Sequence, residues 1–297
     1  MNLYAYTSAI ELGLIFSLVG IGVFFTFRIL DFPDLTVDGS FPLGAAVSAV
    51  LVHGGWNPWL ALLVSLAAGS TAGLCTAWLH TRLRVVHLLA SIVTMTALYS
   101  VNLRIMGRPN LALLEEETIF SWASRIFSLS QSSVILCVTG SIVACMVTLA
   151  WWFLRTELGL ALRASGNNPI MARAMGISTH GMIWLGLGIS NGLAAFAGGL
   201  YAQAQGSADV GMGIGTVVAG LAAVIIGEAV LPTRRIGWML VRVCAGSILY
   251  RVAIALALSL DTGSAWYSIR ATDLNLVTAG LVVLFLAVSQ SKKRVRP

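Results

Sequence analysis

The sequence predicts an all-α polytopic membrane bundle of about eight to ten transmembrane helices, with a broken second helix and a short helix in a cytoplasmic loop. Three observations predict it. First, 58% of the 297 residues are hydrophobic and only 10% are charged, where a soluble domain carries roughly 25% charged residues; mean hydropathy is +0.88. Second, the apolar residues come in continuous runs, without the apolar–polar alternation of an outer-membrane barrel. Third, most basic residues sit in short gaps between the runs, as orientation in a bilayer requires. At about 20 residues per span the apolar content supports roughly eight or nine crossings. A soluble enzyme, a nucleic-acid-binding module and a single-anchor protein are excluded, and the net charge of +6 reads as membrane orientation.

The runs cover 8–29, 39–53, 57–79, 86–105, 131–154, 180–203, 214–231, 238–259 and 272–289. Met1 to Glu11 holds no Lys or Arg, so it lacks the basic flank of a signal peptide, and the first run is read as a retained helix. The second run is short. Before it lies Asp31-Phe-Pro-Asp-Leu-Thr-Val-Asp-Gly39, which predicts a broken or re-entrant helix buried in protein or reached by water. Asp31, Asp34 and Asp38 are candidate caps of broken helix ends on the inner side, or gate residues. The seventh run opens on Gly211, Gly213, Gly215 and Gly220, a second candidate interruption. Small residues four apart (Gly69 and Gly73, Gly188 and Gly192, Ala195 and Gly199) let helices approach closely. Cys75, Cys137, Cys145 and Cys244 lie inside apolar runs without a CxxC pair and are expected to be buried small residues, with no metal site.

Placing the C-terminal tail inside and alternating backwards through nine crossings puts Arg28, Arg82, Arg84, Arg155, Arg163, Arg173, Arg234, Arg235, Lys292, Lys293, Arg294 and Arg296 on the inner side. Only Arg104, Arg108, Arg125 and Arg270 fall outside, and Arg242 and Arg251 lie within the eighth run. The bias predicts a cytoplasmic C-terminus. It also places Glu115, Glu116 and Glu117 in a long outer loop over about 106–130.

The inner loop over about 155–179 is the most informative segment. Asn168 suits an N-cap, Pro169 the first helical position and Gly176 the left-handed stop. These signals predict a helix over 169–175, about 10 Å long. Ile170, Met171, Ala172, Ala174 and Met175 make it apolar all round, with Arg173 its one charge. Such a helix is not stable in water alone. It lies on the membrane surface, tucks under the bundle, or docks into a groove on a cytoplasmic partner.

These residues carry a resemblance. Gly159-Leu-Ala-Leu-Arg163-Ala-Ser-Gly166-Asn167-Asn168-Pro169-Ile170-Met171-Ala172-Arg173-Ala-Met175-Gly176-Ile resembles the coupling-helix loop of ABC-importer permeases of the branched-chain amino acid and simple-sugar class. Glu11-Leu-Gly-Leu-Ile-Phe-Ser-Leu-Val-Gly20-Ile-Gly and Leu30-Asp-Phe-Pro-Asp-Leu-Thr-Val-Asp38-Gly39-Ser40 are similar to that class's first helix and broken second helix. The stretch from His87 through Thr96, Tyr99, Asn102, Arg104 and Gly107 to Asn110 resembles the tryptophan/tyrosine-type subgroup, most of whose substrates are unassigned. Gly198-Gly-Leu-Tyr-Ala-Gln203-Ala-Gln205-Gly206 and Gly220-Leu-Ala-Ala-Val-Ile-Ile-Gly227-Glu228 fit the same class. The chain departs from it after Gly227, where a Gly-rich continuation is replaced by Glu228-Ala-Val-Leu-Pro-Thr-Arg-Arg235.

The resemblance implies one transmembrane permease domain over 1–297, multi-pass in a bacterial inner membrane. It implies a homodimeric pore, two ABC ATPase subunits on the coupling helices, and a solute-binding protein outside. ATP and Mg then belong to the partner ATPase, and this chain holds no cofactor. The sequence agrees, since a P-loop needs a lysine and the lysines here are Lys292 and Lys293 in the tail. The implied cargo is a small solute, an aromatic or related amino acid.

Polar residues inside spans are rare and often mark pathways. Asp38, Asn102, Asn191, Gln203, Gln205, Tyr250 and Arg251 are the candidates. Arg251 suits a substrate carboxylate, but a structural ion pair or snorkelling to the outer interface explains it as well. A self-sufficient secondary transporter requires intramembrane carboxylates and an inverted repeat; only Glu11 and Glu228 qualify, and no matching halves are found. A membrane enzyme is disfavoured because His53, His80, His87 and His180 are scattered.

Overall fold

The computed structural model describes residues 3–113, 116–127, 131–233, 235–259 and Gly280. The predicted run 272–289 apart from Gly280, with Arg234, Arg270 and the basic tail, lies outside the described residues. Helix α1 (Leu3–Val23) continues without a gap into a π-helical turn, Phe24–Ile29. After a break at 30–36 come α2 (Val37–His53), α3 (Pro58–Leu83) and α4 (His87–Met106). A short strand β1 (Asn110–Ala112), α5 (Ile119–Phe127) and α6 (Gln131–Phe153) follow. Two helices, α7 (Glu157–Asn167) and α8 (Pro169–Ala174), form the loop before the long α9 (Thr179–Gln205). Strand β2 (Ser207–Asp209), a 3₁₀ turn (Val210–Gly213), α10 (Thr216–Val230) and α11 (Ile236–Ser259) complete the order. Among the described residues seven helical segments are long and apolar enough to cross a membrane, and α2 is a shorter eighth.

The predicted break has a local cause. Pro33 has no backbone N–H and drives the residue before it out of the helical region. Asp31 takes a left-handed φ of 54°, a conformation that Asp tolerates better than most residues. Phe32, Asp34 and Thr36 are buried, as irregular backbone at membrane depth must be. The second predicted interruption is also present: Gly215 has φ 84°, and α10 starts directly after it.

Helix α9 is the central post, packed along α2 and α3. Close approach explains the small residues. A Cβ on Gly44 of α2 would fall on the Ala195 carbonyl of α9, and Cβ atoms on Gly69 and Gly73 of α3 would meet the carbonyls of Asn191 and Leu187. Helices α1, α10 and α11 pack beside this group, and α6 flanks α1. At one end, β1 and β2 pair antiparallel, Leu111 opposite Ala208, tying the ends of α4 and α9.

Three features depart from the sequence reading. Helices α5 and α7 and the two-stranded sheet were not expected. The loop helix ends at Ala174, with Met175 as its cap. Cys75, Cys137 and Cys145 are exposed and Cys244 is half-buried; all four are free. The expectation of burial fails because a bilayer has no need to hide apolar side chains: lipid tails are as apolar as the core.

Candidate functional site

The loop between α6 and α9 is built by caps. Thr156 Oγ1 accepts from Gly159 N at 3.3 Å and starts α7. Asn168 Oδ1 accepts from Ile170 N at 3.1 Å and Met171 N at 3.0 Å and starts α8. Gly176, at φ 82°, closes α8, with Ile177 N donating back to Ala172 O at 3.0 Å. This is the double-bonded stop that a left-handed glycine permits. Ala172 is buried, whereas Ile170, Met171 and Met175 are 75%, 63% and 77% exposed. Arg173 Nε folds back onto Pro169 O at 3.1 Å. Three large apolar side chains thus stand out from the bundle beside one cation.

Gly166 links this loop to the break. A Cβ there would fall on the Ile29 carbonyl at the end of the π-helical turn. Leu30 beyond it packs against Gly186 of α9. Helix α7 therefore rests directly on the end of the first spanning helix. Gly159 is held as closely against the Phe153 carbonyl and Leu154 backbone, and Asn167 is the exposed last residue of α7.

A polar seam runs from the break into the bundle. Asn191 Nδ2 donates to Asp34 Oδ2 at 2.7 Å and to Leu187 O at 3.0 Å, and Ser40 Oγ donates to Asn191 Oδ1 at 2.7 Å. Asp34 Oδ1 accepts from Thr36 N at 2.9 Å. Thr36 and Thr76 share a hydroxyl hydrogen bond of 2.8 Å. Asp38 does not cap its own helix. Its Oδ1 accepts from Val217 N and Thr216 Oγ1, both at 2.7 Å, and so caps α10, where the positive end of the helix favours a carboxylate. Asn102 Nδ2 donates to Gly39 O at 3.3 Å. The sequence candidates Asp38, Asn102 and Asn191 thus meet around the start of α2, together with Asp34 and Ser40.

Gln203 is separate from the seam. It donates to Ser48 Oγ at 3.0 Å and Pro58 O at 3.2 Å, and accepts from Ile119 N at 3.1 Å. It joins α2, α3, α5 and α9 near the β1–β2 end, and Gln205 is exposed at the last residue of α9. Arg251 lies elsewhere again. Its guanidinium carbon stands 3.7 Å over the Phe16 ring, at cation–π distance, with Tyr201 and Tyr250 as electrostatic neighbours. Phe16, Phe41 and Tyr201 form an aromatic trio with centroids 5.4–6.1 Å apart. Glu11 Oε1 and Arg251 Nε are buried without a hydrogen-bond partner among the described residues.

Sequence reading missed two groups. Glu228 Oε1 accepts from Arg28 Nε at 2.9 Å and Arg242 at 2.7 Å, an ion cluster joining the π-helical turn, α10 and α11. The departure at Glu228 was its signal. The hydroxyl residues of the seam, Thr36, Ser40 and Thr76, gave no signal, because Ser and Thr are ordinary in membrane helices.

Comparison with known proteins now joins these observations. The family described as "Branched-chain amino acid transport system / permease component" matches residues 6–287. The chain is 38% identical to a tyrosine transport system permease protein of Clostridioides difficile (strain R20291), over 94% of this chain and 90% of that one. It is 28% identical to the ribose import permease protein RbsC of Escherichia coli (strain K12), over 65% of this chain and 60% of that one. In fold it is similar to PsaBC from Streptococcus pneumoniae, solved in complex with Fab, with a TM-score of 0.53, 12% identity and coverage of 95% and 89%. It is also similar to a metal-chelate type ABC transporter in an inward-facing conformation, with a TM-score of 0.51, 14% identity and coverage of 97% and 85%. The capped loop, the twice-broken bundle and the match over residues 6–287 agree: the chain is a multi-pass ABC transporter permease and belongs to the branched-chain amino acid transport system permease family.

Proposed function

We propose that this chain is the homodimeric transmembrane subunit of an ATP-driven importer, one permease domain over 1–297 in a bacterial inner membrane. The loop 155–178 and the C-terminus face the cytoplasm, following the positive-inside bias. Each protomer docks one ATPase subunit through α8. Ile170, Met171 and Met175 fill a groove on that subunit, and Arg173 meets its surface. ATP and Mg bind on the ATPase, and a solute-binding protein delivers the cargo from outside. The observation that carries this reading is α8 itself: doubly capped, and exposing three large apolar side chains.

The route of coupling follows from the packing. Movement of α8 and α7 presses through Gly166 on Ile29 and Leu30, the end of α1. There the break and the Asp34–Asn191–Ser40 seam join α1 to α2 and α9. Asp38 carries the seam to α10. Rearrangement at these broken ends switches the pore between its two sides, since discontinuous helices are where transport sites and gates are built. Arg251, held among Phe16, Tyr201 and Tyr250, is the cation available to a solute carboxylate, and aromatic side chains surround it. With the tyrosine transport permease as a relative, the reading is import of an aromatic or related amino acid.

The test is reconstitution of the permease with its ATPase and binding protein in proteoliposomes. Wild type should take up tyrosine with ATP. Met171→Glu should leave the permease folded and abolish uptake, because a carboxylate in an apolar groove is costly to desolvate. Normal assembly and transport by Met171→Glu would rule out the docking face. Uptake of a sugar or nucleoside in place of amino acids would rule out the cargo.

A further inference from the structure

At the loop end of the bundle, α6, α7 and α11 enclose a cavity of ≈ 840 Å³. Its described lining comprises Val147, Thr148 and Trp151 from α6, Arg155 and Arg163 beside and within α7, and Arg235 to Trp238 and Val241 at α11. The volume lies in the range of about 300–1,000 Å³ typical of small-molecule sites. Three guanidinium groups from three segments converge here, and no carboxylate is among the described lining residues. Arg155 lies 4.1 Å over the Trp151 ring. Arg163 Nε is buried, with no hydrogen-bond partner among the described residues. Gly237 lets Trp151 come close, since a Cβ there would sit 2.9 Å from the indole.

We propose that this cavity binds the phosphate headgroup of an anionic phospholipid of the inner leaflet. The positive-inside bias accounts for arginines at this end. It does not account for their convergence on one cavity whose described lining holds no carboxylate. The walls are the second argument. Val147 lies about 6 Å deeper in the bilayer than Trp151, and Val241 a similar distance beyond Gly237. The cavity therefore grades from cationic at the loop end to apolar between two spanning helices. Trp238 and Val241 are 56% and 43% exposed, so the slot opens sideways, toward lipid. An acyl chain fits that slot beneath a headgroup held by the arginines, and tryptophan at the interface completes the arrangement. A soluble ATPase would reach the arginines but not Val147 or Val241. Because Arg163 belongs to α7, a bound headgroup would brace the coupling loop against α6 and α11. The proposal rests on the cytoplasmic orientation stated above, but its readout needs neither ATPase nor substrate.

The experiment is native mass spectrometry of the purified full chain, titrated with phosphatidylglycerol or phosphatidylethanolamine, alongside thermal unfolding. Wild type should retain phosphatidylglycerol over phosphatidylethanolamine by about a hundredfold, at roughly fivefold for each of the three arginines near the headgroup. Arg155→Gln/Arg163→Gln/Arg235→Gln should lower that preference to about twofold. Arg104→Gln/Arg108→Gln, at the opposite end, should leave it unchanged. If the triple variant does not fold, Arg163→Gln alone and competition by inorganic phosphate on wild type decide. Equal stabilisation by inorganic phosphate and phosphatidylglycerol would assign the cavity to a free phosphoryl ion and overturn the lipid. A triple variant that keeps the wild-type lipid preference would also overturn it.

Discussion

Replacing Asn191 by Leu should destabilise the bundle rather than alter what it transports. The side chain is fully buried and makes three hydrogen bonds, two of them to Asp34 and Ser40 across helix boundaries. Leucine is close in size, so the loss is mainly polar. Hydrogen bonds between membrane helices average about 0.6 kcal/mol and reach about 1.7 kcal/mol. Stranding a buried carboxyl oxygen costs more, about 1–3 kcal/mol. Together these give about 2–4 kcal/mol for Asn191→Leu. For a chain of this size the unfolding midpoint should fall by roughly 3–6 °C. The assay is thermal unfolding in detergent, followed by tryptophan fluorescence. A double-mutant cycle sharpens it. Asp34→Asn combined with Asn191→Asp exchanges the two groups, keeps an oxygen for Thr36 N and restores one amide–carboxylate bond. It leaves the Leu187 carbonyl facing an acceptor, so recovery should be partial, with a coupling of about 1–2 kcal/mol. A midpoint for Asn191→Leu within about 1 °C of wild type would refute the seam as a structural clip. So would a swap no more stable than the sum of its single changes.

Two further outcomes follow from the same packing. Gly166→Val must push α7 off the Ile29 carbonyl; overpacking of this kind costs about 1–3 kcal/mol. Uptake should fall even where the protein still assembles, and full transport would show that α7 does not press on α1. Glu228→Gln removes the anionic partner of Arg242, whose side chain is only 5% exposed and keeps a bond to the Thr233 carbonyl. The loss should be about 1–3 kcal/mol, below that of a fully buried pair because Glu228 is partly exposed. Arg28→Gln, at an exposed arginine of the same cluster, should change stability by less than about 1 kcal/mol. Equal shifts in unfolding midpoint for the two variants would contradict this division.

Much of this protein was legible in the chain because the signals are local. The spans follow from apolar runs, since every residue of a spanning helix must satisfy its own backbone. The stop and start of α8 were readable at Asn168, Pro169 and Gly176, because caps act over three or four residues. The break before α2 was readable from Pro33 for the same reason. Short amphipathic pieces were not. Helix α5 and strands β1 and β2 exist through the surfaces they pack on, and a three-residue strand has no period to detect.

What the sequence alone determined is therefore the class of molecule, the apolar helices up to residue 259 and the capped loop helix. Only the tertiary structure decided what the intramembrane polar residues do. Sequence grouped Asp38, Asn102, Asn191, Gln203, Gln205, Tyr250 and Arg251 as one set. The fold separates them into a seam at the broken helices, a clip at the β1–β2 end and an arginine on an aromatic trio. The reason is that a polar side chain in a bilayer takes whichever partner its packing brings within about 3 Å. Asp38 caps a helix 178 residues further along the chain, and nothing in its neighbouring residues encodes that partner.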